Sequence, residues 1–367
     1  MINGARPYRL LSIFCILIIQ ALFSFKYLAR YFPESYLFIS WALIGATFLL
    51  LYYRPKLSFV SGHALWFGAI VAVVLITILI LKYIPIESLN VDRWSVITSF
   101  WDAAFNSEYP YAAKSHMNNP PGPMPFYFVI ALPFYLGLDY AWMASLGMIL
   151  FIIWWRNVKM PNGQVAVLIL LMFLGLWWEV ASRSNIFFNS VLLLFLVYSW
   201  LKAQINRTEV YVIAMVTGLL LSTRLVFVIP LLFVFVYLWK GEKIHRVKLL
   251  KLAFLAAITF SLTFSPFLLM FPNEFWEINP FIVQGEYLMP TYLTVICVLV
   301  CAVLSFFIRN KKQVVWAGGM GLFGTIAVYF AYHLGKVGWN VCLHQSAVDL
   351  SYFLLGLPFL LLTSLED

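Results

Sequence analysis

One stretch of the chain, Asn90 to Pro125, gathers most of the side chains that could do chemistry: NVDRWSVITSFWDAAFNSEYPYAAKSHMNNPPGPMP. Asp92 has the residue type of a general base, a carboxylate able to take a proton from an acceptor hydroxyl. It also stands one residue ahead of a helical pattern, where an N-cap belongs, and capping alone would account for it. The two roles are compatible, because a cap would also hold the carboxylate in place. Asp102 and Glu108 carry charge further along the stretch, where plain solvation is the simpler account; Asp102 remains a candidate substrate contact. Tyr109 and Tyr111 flank Pro110 in a stiff turn, so their amphipathic rings suit either the lipid headgroup layer or stacking on a sugar.

Three basic residues run against the charge bias of their surroundings: Lys114, Arg183 within Glu179–Asn185 (EVASRSN), and Arg224 directly after Leu220–Thr223 (LLST). Arginine near membrane depth is expensive unless it is paired or used, and its planar fork suits phosphate oxygens. Clamping a lipid phosphate is one reading. Pairing with Glu179 or Glu286, or snorkelling to headgroups, is the other. Asn185 accompanies Arg183. His116, His333 and His344 show no ligand spacing, so no metal site is expected. No P-loop, dinucleotide fingerprint, nucleophile elbow or nucleic-acid module occurs, so neither a cofactor nor a nucleic-acid partner is expected.

The elements that must position these residues are set by composition. Of 367 residues, 63% are hydrophobic and 11% charged, against about 25% charged in a soluble domain. The expected class is an integral membrane protein, and the net charge of +9 then reads as basic residues collected in cytoplasmic loops. Apolar runs fall at 10–29, 36–53, 64–82, 140–155, 164–178, 186–201, 209–223, 225–239, 251–271, 290–308, 314–334 and 349–364. Cys15, Cys297 and Cys301 lie in such runs and are read as packing residues. The segment 124–138 is short, with Pro133 inside, and could cross the membrane or dip back out. If it dips and the N-terminus is cytoplasmic, 16 of the 24 basic residues lie inside and 11 of the 15 acidic ones outside. If it crosses, the cluster Lys240–Lys251 moves outside, which the positive-inside rule disfavours. The reading is therefore all-α: a polytopic transmembrane bundle of about 12 spanning helices, both termini cytoplasmic, forming one domain over 1–367. Its first large outer loop, 84–139, would carry an interfacial helix and a re-entrant segment. The sequon at Asn206–Thr208 would face the cytosol and is discounted.

Within that loop, residues 93–106 repeat at helical spacing. Trp94, Ile97, Trp101, Ala104 and Phe105 share one face, and Ser95, Ser99, Asp102 and Asn106 the other, as in an amphipathic helix lying in the interface. The run Asn118–Pro125 (NNPPGPMP) cannot be regular helix, since proline removes donors and fixes φ; it shapes a groove or a stiff re-entry.

Val91-Asp92-Arg93-Trp94, Tyr109-Pro110-Tyr111 and Pro120-Pro121-Gly122-Pro123, with Arg183 and Asn185 in a second outer loop, resemble the glycosyltransferase C superfamily over roughly residues 85–240. That superfamily comprises polytopic enzymes using polyprenyl-phosphate sugars. The sequence departs from it in placing three apolar runs ahead of the loop and in lacking an aspartate in the second one. The resemblance implies transfer of a sugar, with inversion, from a polyprenyl-phosphate carrier; the acceptor at the outer face is read as a glycolipid or polysaccharide, because the sequence offers no soluble domain to grip a protein. Asp92 would be the base, no metal would be required, and the location would be a bacterial inner membrane, or the endoplasmic reticulum in a eukaryote. Two other functions fit the composition. A transporter or flippase of lipid-linked or small anionic solutes would show inverted repeats. A polysaccharide ligase or polymerase would use a late loop such as Phe271–Met289 with Glu274, Glu277 and Glu286.

Overall fold

The computed structural model describes residues 6–55, 62–203, 208–241, 245–287, 289–343 and 348–366. His344, and Asn206 and Arg207 of the sequon, lie outside these, as does the Glu286 side chain. Helix makes up 81% of the structure, and among the described residues there is no strand. In chain order the helices are α1 (Arg6–Phe23), α2 (Tyr36–Tyr53), α3 (Gly62–Tyr83), α4 (Arg93–Phe105), α5 (Pro125–Gly137), α6 (Ala141–Asn157), α7 (Gly163–Met172), α8 (Leu174–Ala181) and α9 (Ile186–Lys202). There follow α10 (Glu209–Leu221), α11 (Val228–Lys240), α12 (Arg246–Leu262), α13 (Ser265–Met270), α14 (Pro272–Glu277), α15 (Pro280–Tyr287), α16 (Thr291–Ser305), α17 (Lys311–Leu343) and α18 (Leu357–Leu365).

All the apolar runs contain helix, but their lengths differ. Four stretches are long and apolar enough to cross a membrane: Pro7–Leu28, Tyr36–Tyr53, His63–Tyr83 and Lys311–Leu343. The number rises to six if the pairs α5–α6 and α7–α8 each count as one broken span. Other apolar helices, α9, α10, α16 and the stretch Leu225–Lys240, have 10–17 residues, short of the roughly 20 a crossing needs. The cause is local. The run 164–178 breaks at Phe173, whose extended backbone (ψ 104) bends the chain by 53°. The run 251–271 stops at Thr263, ahead of Pro266, which cannot supply a helical N–H. In α17 the helix kinks at Gly338, where φ of 82 is open to glycine alone without strain. Large apolar side chains stand exposed on α2 and α3, including Phe38, Trp41, Phe67, Leu75 and Leu79. A soluble surface rarely presents so wide an apolar face; hydrocarbon satisfies it.

The residues gather into two compact units, interleaved along the chain. The first comprises Met1–Asn90, Ala141–Val191 and Ile326–Asp367. In it α1 packs against α2 and α18, and α3 against α6. Gly147 lets α6 approach the backbone at Phe188, where a Cβ would stand 2.7 Å from the Phe188 Cα, the close crossing small residues permit between membrane helices. The second unit comprises Val91–Tyr140 and Leu192–Thr325. There α10 lies along α12, with Gly218 against the Ala256 carbonyl, and α4 packs on α5. The buried stripe of α4 runs through Val96, Ile97, Phe100 and Ala103. Of the apolar face read from the periodicity, Ile97 is buried and Phe105 is exposed. The turn of the helix is set by Phe100, which stacks on Phe128 of α5 at 3.6 Å and meets Tyr111 edge-on.

Candidate functional site

Asp92 occupies the N-cap position of α4, but its side chain makes no capping hydrogen bond. Only its carbonyl enters the helix ladder, accepting from Val96 N–H at 2.9 Å. The carboxylate turns instead to the proline-rich loop. Ser115 Oγ donates to Asp92 Oδ2 at 2.8 Å, and Asn119 Nδ2 donates to the same oxygen at 2.7 Å. Among the described residues none donates to Oδ1, and Asp92 is half-buried. Hydrogen bonds to a charged group contribute about 1.5–3 kcal/mol each, so two of them on one oxygen fix the plane of the carboxylate and leave the other oxygen open.

The loop that supplies these donors is itself held at each step. Ser115 Oγ accepts from the N–H groups of Met117 (3.3 Å) and Asn119 (3.2 Å), closing a tight turn in which Asn118 takes a left-handed φ of 64. Asparagine tolerates that conformation better than most residues. His116 lies on the other side of the turn, its Nδ1 2.7 Å from Ser95 Oγ and its ring stacked on Trp94 at 5.2 Å. Gly122 O accepts from Gln284 at 2.8 Å, and Pro123 O from the Tyr111 hydroxyl at 3.2 Å. The first turn of α5 docks on the end of α10, Phe126 N–H donating to Ser222 O at 2.8 Å. The segment is irregular because proline denies it a helix, and ordered because side chains satisfy its carbonyls.

The other candidates of this unit are placed differently. Tyr109 and Tyr111 are buried, so they present no stacking surface; the Tyr109 hydroxyl donates to Ile278 O at 2.6 Å. Burial, and secondarily the charge of Glu274, pushes the Tyr109 hydroxyl above its ordinary range, and burial does the same for Tyr111. Asp102 is exposed and accepts from the Tyr135 hydroxyl at 2.6 Å. Glu108 and Lys114 are exposed. Arg224, half-buried beyond α10, holds its guanidinium 5.4 Å from the Tyr127 ring centroid, a cation–π arrangement. An apolar cavity of about 360 Å³ lies beside α4 and α5, lined by Phe100, Trp101, Phe126, Phe128, Phe267 and Met270 among others.

Arg183 and Asn185 belong to the first unit, in the turn between α8 and α9. Glu179 is the centre of that turn. It is fully buried, and its carboxylate accepts from Ser184 Oγ (2.5 Å), Ile186 N–H (3.2 Å) and Phe187 N–H (2.7 Å). Ile186 and Phe187 open α9, so Glu179 satisfies two orphan donors and faces the positive end of the helix dipole. Arg183, at a left-handed φ of 53, is buried and donates to Ala181 O (2.6 Å) and Ile84 O (3.1 Å). Asn185 is buried, with Nδ2 3.7 Å from Met143 Sδ.

The sequence reading missed three participants. Ser115 and Asn119 reach Asp92 from 23 and 27 residues away, and no local pattern announces such a contact. Lys26 is buried in a π-helical turn, Ser24–Leu28, and donates to Cys342 O (2.9 Å) and Val348 O (2.7 Å); its signal was a lone charge inside the first apolar run. Among the described residues no three His, Cys, Asp or Glu side chains form a metal-holding group. The fold and composition define a class: an all-helical protein with several helices apolar enough to span a membrane. The chain matches no family model, no curated protein and no solved structure.

Proposed function

We propose that the protein is a membrane glycosyltransferase that moves a sugar from a polyprenyl-phosphate carrier to an acceptor hydroxyl at the outer face, with Asp92 as general base. The observation that carries this reading is the Asp92 carboxylate: oriented through Oδ2 by Ser115 and Asn119, free of capping duty, and open at Oδ1. A helix cap would be saturated by its own helix; a base must keep an oxygen for its substrate. In the reaction the acceptor oxygen attacks the anomeric carbon, its proton passes to Asp92, and the carbon–oxygen bond to the phosphate breaks, releasing polyprenyl phosphate. Arg224 supplies positive charge in the same unit, suited to a phosphate. The aromatic cavity begins at Phe100, eight residues or about 12 Å along α4 from Asp92, and gives a lipid tail an apolar wall. Glycolipid or polysaccharide remains the acceptor class. The same reading keeps about 12 crossings, a dip at 124–138 and a bacterial inner membrane. At 13 residues, α5 is about 20 Å long, shorter than the roughly 30 Å of a hydrocarbon core, which supports the dip.

The test is release of polyprenyl phosphate by the purified chain in nanodiscs, supplied with a panel of polyprenyl-phosphate sugars and lipid acceptors. Release by the wild type and its loss in folded Asp92→Asn supports the proposal. Movement of solute or lipid in proteoliposomes without any release overturns it in favour of transport.

A further inference from the structure

The second unit holds another cavity, of about 400 Å³, walled by α9 to α12. Its lining runs from Leu225, in the turn that leads into α11, to Leu238 near the end of that helix, a length of about 20 Å, so the space is a groove along the helix. It is dry by construction. The polar side chains in its wall satisfy one another: Trp200 Nε1 donates to Thr217 Oγ1 at 2.9 Å, and Thr217 donates to Ile213 O at 2.7 Å. Water needs two or more polar partners to occupy a cavity, and these walls offer none. Ala253 and Ala257 of α12 line the groove and are also exposed, so it opens sideways between small residues. Beside that mouth, Val247, Leu250, Phe254, Ile258 and Leu262 present an exposed apolar stripe, which places the opening among acyl chains.

One end of the groove, at Leu238 and Leu249, is ringed by cations. Lys240 closes α11 and donates to Phe306 O (2.6 Å) and Ile308 O (3.0 Å). Arg246 lies over the Trp239 ring (5.5 Å) and Lys248 over Tyr211 (5.7 Å), while Lys251 is exposed one turn on. The carboxylate of Glu209, in the first turn of α10, shares this end. Aromatic rings beside cations mark headgroup depth, and basic pockets between membrane helices recognise anionic lipid headgroups.

We infer that this groove binds one anionic glycerophospholipid, an acyl chain lying along α11 and α12 with the phosphate against Arg246, Lys248 and Lys251. The site is separate from Asp92 and does not depend on the transferase reading. The full chain is reconstituted in nanodiscs of mixed phosphatidylcholine and phosphatidylglycerol, then re-extracted, and retained lipid is identified by native mass spectrometry. Wild type retains one phosphatidylglycerol, with at least about tenfold preference over phosphatidylcholine. Ala253→Trp fills the groove and loses the lipid; Lys248→Glu with Lys251→Glu keeps a lipid but loses the preference. Should Ala253→Trp fail to give a monodisperse helical protein, Ala257→Leu narrows the same mouth and takes its place. Equal retention of the two lipids by wild type, or undiminished phosphatidylglycerol in a folded groove-filling variant, overturns the proposal.

Discussion

Asp92 and Glu179 each stand at a helix N-terminus, one in each unit, and they are used in opposite ways. Glu179 is fully buried, and its carboxylate accepts from the turn it closes: the Ser184 hydroxyl and the first two N–H groups of α9. Asp92 is half-buried at the start of α4, ignores the donors of that helix, and is gripped through a single oxygen by Ser115 and Asn119. A buried carboxylate is tolerable only when its charge is met by donors, and Glu179 meets that condition with three donors from its own turn. Asp92 has orientation without saturation. On the proposed reading, the difference separates a group that holds the fold from a base left open to substrate.

The sharpest way to break the comparison is to remove each charge in turn. Asp92→Asn keeps both loop contacts within reach yet cannot accept a proton, so the transfer rate should fall by about 10²–10⁴-fold while the melting temperature stays put. A stability loss with unchanged rate would make Asp92 a structural group like Glu179. Glu179→Ala should do the reverse. Stripping the acceptor from the buried Ser184 hydroxyl and the Ile186 and Phe187 N–H groups leaves them unsatisfied, and each such group costs about 1–3 kcal/mol. The measurement is denaturation of the purified variant: a drop of about 3 kcal/mol or outright failure to fold is expected, with whatever protein survives retaining full rate.

A smaller effect sharpens the same contrast. Ser115→Ala and Asn119→Ala each remove one donor from Asp92 Oδ2. The carboxylate remains but loses its fixed plane, and each variant should lose about tenfold in kcat, one hydrogen bond of roughly 1.4 kcal/mol, with KM little changed. The double variant should approach Asp92→Asn. If KM rises instead and kcat holds, the two residues bind substrate directly and do not position the base.

How much of this was legible in the sequence follows from the range of the interactions. Helical class and the start of α4 at Asp92 came from composition and periodicity, which are local or averaged properties. The limits of α2, Tyr36 and Tyr53, were readable for the same reason: a uniformly apolar run with polar ends. Which residues of α4 are buried was not readable, because Phe100 is drawn inward by Phe128 and Tyr111, partners from elsewhere in the chain. Hydropathy does not see a break such as Phe173 between α7 and α8, so the run 164–178 reads as one unbroken helix. Arg183 drew attention as an isolated cation, yet its left-handed backbone and its bonds to Ala181 and Ile84 carbonyls are tertiary facts. Ser115 and Asn119 were invisible as partners of Asp92, although the prolines beside them marked the loop as irregular.

The least effect is expected where the loop itself contains a saturated group. Tyr109 is buried, its hydroxyl donates to Ile278 O at 2.6 Å, and burial together with Glu274 holds it protonated beyond its ordinary range. Below a pH of about 10, the usual tyrosine value, the folded and unfolded chains are both protonated at this site, and its contribution to stability is complete. Above that value the unfolded chain ionises first, so stability falls as pH rises toward the raised folded value. Tyr109→Phe removes the bond, about 1 kcal/mol at neutral pH, and also removes this share of the alkaline loss. Denaturant midpoints at pH 7 and pH 11 should therefore lie closer together in the variant than in the wild type, with kcat untouched. A wild-type-like spacing, or a fall in kcat, would place Tyr109 with Asp92 and Ser115 and not with the groups that only hold the loop.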